Sequence, residues 1–199
     1  KIGSIPLLLG APGEKGVGAA RFQTPTGERT RLFIVSAGMG IVAEANGFFN
    51  RGNKAIETLK RFWTDGAIVY AALRTLFSYQ NRQASLIDGK GERTVSLTNL
   101  SVLRTPFLSG FFRYDTPVEP SFLSVNLCEG MSRCEAIITL IDLARGRFQG
   151  KKKRSSFQSE EISLRFPAAV TLELDGEIEE TTSVTFSLHP ERIKVCRST

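Results

Sequence analysis

Apolar and polar residues alternate along several short stretches of the chain, and each stretch predicts a half-buried strand. Residues 123–128 alternate, as does Val170-Thr171-Leu172-Glu173-Leu174, and residues 183–188 place Val184, Phe186 and Leu188 on one face, with Ile193 and Val195 extending the pattern. Between the last two runs, Asp175-Gly176 predicts a turn, because glycine takes positive φ without steric cost and aspartate bonds its own backbone. Glu177 is then held at a strand end. Residues 84–87 and 93–103 flank Asp88-Gly89-Lys90-Gly91, a second hairpin signal. Residues 31–36, with Leu32-Phe33-Ile34-Val35, predict a buried strand that breaks at Gly38-Met39-Gly40 in a tight turn or a close backbone approach. That pair of glycines lacks both the full dinucleotide-binding spacing and the Walker lysine, so a phosphate cradle is a weak reading. Residues 1–30 are rich in Gly, Pro and Thr; they predict an irregular lead-in over 1–16 and an edge strand around 19–23.

From residue 53 to about 80 the spacing becomes helical, with Ile56, Leu59, Phe62 and Trp63, then Ile68, Ala71, Ala72, Leu73, Leu76 and Phe77. Thr64-Asp65-Gly66 interrupts it, and Asp65 suits an N-cap, which predicts two helices or one bent helix. The apolar stripe is expected to pack on a sheet; a lipid tail lining the same surface is the alternative. Ser132 and Glu135 form a capping-box pair that starts a helix over 133–144, with Gly146 as its stop. Residues 105–112 are an apolar loop with three phenylalanines, which either fold under into the core or meet an apolar ligand. Together these elements predict a β-rich α+β fold, an antiparallel β-sandwich with two or three helices, in a single domain over residues 1–199.

At 199 residues and 21.9 kDa the chain has room for one domain with a substantial core. Hydrophobic residues at 41% and charged residues at 23% exclude wholesale disorder. No apolar run reaches the roughly 20 residues of a transmembrane helix. Lysine and arginine exceed aspartate and glutamate by 26 to 20, a net charge of +6, which favours an anionic partner. The densest cationic run is Lys151-Lys152-Lys153-Arg154. It reads as a solvated turn or, facing anionic lipid, as a membrane contact. No aromatic residues interleave it, so nucleic acid is not the expected partner.

Cys128, Cys134 and Cys196 are odd in number and lack zinc-site spacing, which points to a reduced, cytoplasmic setting with two of the three in the core. The one histidine, His189, precedes Pro190 in an expected late turn, where a surface or capping role fits better than a place in a catalytic triad. The chain begins at Lys1 and both methionines are internal, as in a fragment or a trimmed product.

The order of these elements resembles a family. A strand running into Ser36-Ala37-Gly38-Met39-Gly40, a long aromatic helix pair, strands, the Thr105-Pro106-Phe107 to Gly110 loop, a strand, a capped helix ending Leu143-Ala144-Arg145-Gly146, and finally Leu174-Asp175-Gly176-Glu177 is similar to the C-terminal domain of the diacylglycerol kinase and sphingosine kinase superfamily, most closely its bacterial soluble members. The resemblance covers roughly residues 17–197. It implies a two-domain lipid kinase in which a separate N-terminal domain with a Gly-Gly-Asp-Gly motif binds ATP and magnesium. That motif is absent from this sequence, so the chain alone is expected to be inactive.

Carried over by the resemblance, Glu177 is the catalytic acid group of the Asp-Gly-Glu motif. It acts as general base on the hydroxyl of a diacylglycerol or sphingoid-type lipid as that oxygen attacks the γ-phosphate. Gly38, Gly40 and Gly110 match glycines lining the substrate cleft, and Asp175 belongs to the same substrate-side motif while shaping its turn. Bacterial relatives hold a structural magnesium in an Asp-Asp-Gly loop; here Glu119-Pro120-Ser121 stands in its place, leaving Glu119 as the candidate metal ligand. The resemblance further implies a cytoplasmic, peripherally membrane-associated protein whose partners are the lipid, an anionic membrane surface and the nucleotide-binding domain. An exposed sheet edge would permit a homodimer. A non-catalytic lipid or membrane-surface binding module without a nucleotide domain is the alternative.

Overall fold

This computed structural model describes residues 13–51, 54–108 and 112–195. The chain opens with β1 (Gly13–Thr24), which turns back at Gly27 into β2 (Gly27–Phe33), and β3 (Ser36–Gly40) follows after a two-residue bend. Three helices come next, α1 (Ile41–Arg51), α2 (Lys54–Phe62) and α3 (Thr64–Ser78). Strands β4 (Arg82–Asp88) and β5 (Gly91–Leu103) form the hairpin expected at Asp88-Gly89. A small ribbon of β6 (Phe107–Leu108) and β7 (Phe112–Arg113) precedes β8 (Leu123–Glu129), α4 (Arg133–Ala144), β9 (Arg154–Ser159), β10 (Glu161–Leu174) and β11 (Glu177–Val195).

Nine strands make one antiparallel sheet in the order β2-β1-β11-β10-β3-β5-β8-β9, with β4 paired to β10 and β5. Strands β3 and β4 share one lane, end to end. The long β5 pairs with β4 through residues 91–97 and with β3 through 99–103, and β10 does the same on the other side. Between those two contacts β10 shifts register from Arg165 to Val170, where Pro167 has no N–H to give to a ladder.

The sheet folds back on itself. Arg104, just past β5, donates to the carbonyl of Gly16 in β1, although three lanes separate those strands along the sheet. The two wings therefore enclose a common core in which Phe22, Phe33, Met39, Leu100, Leu123 and Phe186 are buried. Phe33 and Phe186 meet edge to face at 6.2 Å, a favoured aromatic geometry. The sandwich expectation holds, and helix α4 begins and ends where the capping box and Gly146 placed it. The Ser132 hydroxyl accepts from the Glu135 N–H at 3.3 Å, and the Glu135 carboxylate accepts from the Ser132 N–H at 2.7 Å.

Several expectations need correction. There are four helices among the described residues, α1 being the addition. Its buried positions are few, with Ala43 and Gly47 the single i, i+4 pair and both small, and only Glu44 in the first turn and Arg51 in the last mark it electrostatically. Residues 31–36 are not one buried strand. They straddle the bend between β2 and β3, and because β2 is a sheet edge, Phe33 points inward while Leu32 and Ile34 face solvent. Gly38 lies inside β3, all five of whose residues are buried, but Gly40 does end the strand: at φ 98° it packs closely on the backbone of Thr98 and Asn99, the close approach expected there, and α1 follows at once. Residues 13–16 of the expected irregular lead-in already belong to β1, which lies between β2 and β11 and not at the edge, and the rest of the lead-in lies outside the described residues.

His189-Pro190 sits within β11 at a bulge, where three residues of β11 oppose Val17 alone, and the N–H of Glu191 donates to His189 Nδ1. Of the cysteines, Cys128 is buried and Cys134 exposed, while Cys196 lies outside the described residues. Trp63, not Asp65, occupies the N-cap position of α3. Most of the aromatic stripe of α2 and α3 does not pack on the sheet: Ile56, Ala71 and Leu76 are buried, whereas Phe62, Trp63, Ile68, Leu73 and Phe77 are exposed.

Candidate functional site

The Asp-Gly-Glu turn is fixed from below by its own acidic groups. Both residues at its apex have positive φ, 49° at Asp175 and 92° at Gly176, a conformation that glycine takes freely and aspartate tolerates. The Asp175 carboxylate accepts three backbone N–H groups from the β2–β3 bend, those of Ile34 at 2.6 Å, Val35 at 2.9 Å and Ser36 at 2.9 Å. Its own N–H donates to the Ser36 carbonyl at 2.9 Å. One anion thus closes both the bend and the hairpin, which is why residues 34–35 leave the strand. Asp175 shapes the turn with its oxygens committed to backbone.

Glu173 lies beneath it, 4% exposed, and accepts the N–H of Gly176. Burial pushes its carboxyl up to about 7; the Gly176 N–H opposes that rise and the charge of Asp175 adds to it. Across the ladder from Glu173 is Gly38, where an added Cβ would stand 3.2 Å from the Leu100 carbonyl and 3.4 Å from Glu173 Oε2. Gly40 has φ 98°, and a Cβ there would meet the Thr98 carbonyl at 2.4 Å. What the missing side chains of these two glycines admit in this structure is neighbouring protein, the β5 backbone and the buried Glu173. Gly110 lies outside the described residues.

Glu177 starts β11 and is exposed, with no hydrogen bond or ion pair to its carboxylate among the described residues. It is the one acidic group of the motif left available to something from outside. Helix α1 comes down beside it: Asn50 Nδ2 donates to the Gly176 carbonyl at 3.1 Å, and Arg51 pairs with Glu180 at 2.6 Å. An open cleft of about 360 Å³ runs between α1 and the β10–β11 hairpin, lined in part by Glu44, Phe48, Arg51, Thr171 and Glu180. Lys15 is also near; partial burial and the charge of Arg104 lower its pKa, while Asp175 pulls the other way.

The loop before β8 does not fit a magnesium site. The guanidinium of Arg104, 4% exposed, donates to the carbonyls of Glu119 at 3.2 Å and Pro120 at 3.0 Å and also to that of Phe122. A fixed organic cation therefore holds the loop oxygens, and Glu119 points a single exposed carboxylate to solvent, too few ligands for a hard divalent ion. No group of three or more His, Cys, Asp or Glu side chains converges among the described residues. Arg104 is the functional-looking residue that sequence reasoning missed; a lone arginine after a buried strand carries no local signal of four carbonyl partners.

The cationic run is partly spent within the fold. Lys153 pairs with Glu135 at 2.7 Å, and Arg154, its side chain 4% exposed, pairs with Asp142 at 2.8 Å. Of the four, Lys151 and Lys152 are exposed with no ion pair among the described residues. In the apolar loop, Leu108 is buried, Phe112 half-buried and Phe107 exposed, and Phe111 lies outside the described residues.

No family model matches the chain. No curated protein matches it. Among solved structures, two from Bacillus anthracis str. Sterne that are provisionally named diacylglycerol kinases align with TM-scores of 0.54, at 14% and 13% identity, over 89% of this chain and 54% and 55% of those chains. The chain shares their fold. A third, named a diacylglycerol kinase from the same organism, aligns with a TM-score of 0.50 at 9% identity over 88% of this chain and 51% of its own. This chain thus spans about half the length of the structures it resembles, and what it has in common with them is a lipid-kinase-like fold. No helix among the described residues is long and apolar enough to cross a membrane.

Proposed function

We propose that the chain is the substrate-binding half of an ATP-dependent lipid kinase that transfers the γ-phosphate to the hydroxyl of a diacylglycerol or sphingoid-type lipid. The observation that carries this reading is the Asp-Gly-Glu turn, pinned by three backbone N–H groups and presenting an unpaired Glu177 carboxylate, within a fold shared with diacylglycerol kinases. In this reading Glu177 accepts the proton of the lipid hydroxyl as its oxygen attacks phosphorus, and rigid placement of the carboxylate supplies orientation. The remaining half of the protein, the N-terminal nucleotide-binding domain, brings ATP; magnesium bound with it offsets charge on the phosphates. The enzyme works at the membrane surface from the cytoplasm.

The test is direct: the complete protein is assayed with ATP and magnesium on diacylglycerol and on a sphingoid base in mixed micelles. Incorporation of phosphate into either lipid supports the reading. Absence of product with both, from a folded protein, moves the assignment to the non-catalytic lipid-binding module, which the exposed apolar face of α2 and α3 also favours.

A further inference from the structure

Helix α3 has two apolar faces and only one of them is used. Ala67, Ala71 and Leu76 are buried, and α3 packs on α1 and α2. On another face Val69, Leu73 and Phe77 recur every four residues and are 54%, 49% and 61% exposed. At the junction with α2, Phe62 is 85% and Trp63 is 63% exposed. Gly66 makes room for the indole to lean on the start of α3, since a Cβ there would meet the ring at 2.3 Å. Soluble monomers seldom leave so many large apolar side chains side by side in water, and such patches mark the site of a partner.

The patch continues beyond α3. Leu76 of α3 and Ala136 of α4 share a small buried cluster, and α4 exposes Ile137, Ile138 and Ile141. Cations border it: Arg61 lies in the last turn of α2, directly before Phe62-Trp63, and Arg74, next to Leu73, stacks its guanidinium 4.1 Å over the Phe48 ring of α1, both remaining exposed. Across α2 and α3 the sequence carries four basic residues (Lys54, Lys60, Arg61, Arg74) against two acidic ones (Glu57, Asp65).

We propose that this surface, led by Phe62 and Trp63, docks on an anionic lipid bilayer. Phe, Leu and Ile side chains can enter the acyl boundary. Trp63 and Tyr70 have the amphipathic rings that favour the headgroup level, and Arg61 and Arg74 can reach anionic headgroups. A second copy of the chain is a poorer occupant, because two such faces would set the same arginines against each other. The membrane contact thereby moves from Lys151-Lys152-Lys153-Arg154, half of which is already paired, to the helices. Helix α1 joins this face to the site: it packs on α3 and also donates from Asn50 to Gly176, so a docked bilayer lies next to the element that flanks Glu177. The inference goes beyond the kinase reading and would hold for a non-catalytic module as well.

Trp63 is the chain's only tryptophan, so its fluorescence reports this face alone. Vesicles of phosphatidylcholine with phosphatidylserine are added to the protein without nucleotide. The expected results are a blue shift of the emission, quenching by acyl-brominated lipid, and stronger binding than to phosphatidylcholine alone. Replacing Phe62→Ser together with Phe77→Ser should lower vesicle co-sedimentation by at least about tenfold. Replacing Lys151→Gln together with Lys152→Gln should leave it near the parent level. Three outcomes overturn the proposal: no shift and no co-sedimentation, binding that depends on Lys151 and Lys152 but not on Phe62 and Phe77, or a dimer in light scattering that Phe62→Ser with Phe77→Ser converts to monomer. Because nothing is phosphorylated in this assay, its failure leaves the kinase reading to its own test.

Discussion

The Asp-Gly-Glu turn and the α2–α3 helix pair are both conspicuous in the sequence, and the structure treats them in opposite ways. At the turn, polar groups that look available are consumed: Asp175 by three N–H groups and Glu173 by burial and the Gly176 N–H, leaving Glu177 alone. At the helices, apolar groups that look consumed are available. Turn chemistry is local, so a short motif contains its own partners. Helical periodicity states which residues share a face and is silent on what covers that face.

Substitutions at the two regions should therefore separate stability from surface behaviour. The largest effect is expected at Asp175→Ala, which leaves three backbone donors without their anion; with hydrogen bonds to charged groups each contributing about 1.5–3 kcal/mol and not adding fully, a loss of about 4 kcal/mol in unfolding free energy is expected from denaturant titration. Asp175→Asn should recover part of it. A fall no larger than that of a surface substitution would mean the bend holds itself. Next is Arg104→Met, which strands the carbonyls of Gly16, Glu119, Pro120 and Phe122 and should cost about 3 kcal/mol. In the parent chain, melting in EDTA and in magnesium chloride should coincide, since the loop cation is already part of the protein. A rise in Tm with magnesium that Glu119→Gln abolishes would restore the metal site.

An effect of up to about 3 kcal/mol, appearing only as pH rises and in favour of the variant, is expected from Glu173→Gln. The carboxyl titrates at about 7 when folded against a model value of 4.5, so the native state holds a proton that the unfolded chain releases first. The parent should lose stability as pH rises from 4.5 towards 7, whereas the glutamine variant should not. The two should match at pH 4 and differ most near pH 8; equal pH profiles from chemical denaturation would contradict the assignment. Smallest is Phe62→Ser. With its side chain almost wholly in water, folding stability should change by less than about 0.5 kcal/mol, however much vesicle binding changes.

The legible parts of the fold were those set by neighbouring residues. The Ser132/Glu135 box and Gly146 bounded α4, and Asp88-Gly89 and Asp175-Gly176 fixed two hairpins. What escaped notice was set by distant partners. Helix α1 is held by its packing on α3, β3 and β10, with too few periodic apolar positions to announce it. Residues 31–36 read as one strand because the carboxylate that breaks them lies at Asp175, far along the chain. In the site, Glu177 and the turn could be named from the motif. The burial of Glu173 and the carbonyl cluster around Arg104 could not, because each requires knowing which strands become neighbours.

The most direct measurement is lipid phosphorylation by the complete protein carrying Glu177→Gln, with the fold checked by its melting curve. The amide keeps the shape of the side chain and cannot accept the proton. The account predicts a rate lower by on the order of a hundredfold or more, with Tm and vesicle binding close to those of the parent. A variant that phosphorylates lipid at the parent rate would contradict it, and would reduce the Asp-Gly-Glu turn to a structural hairpin.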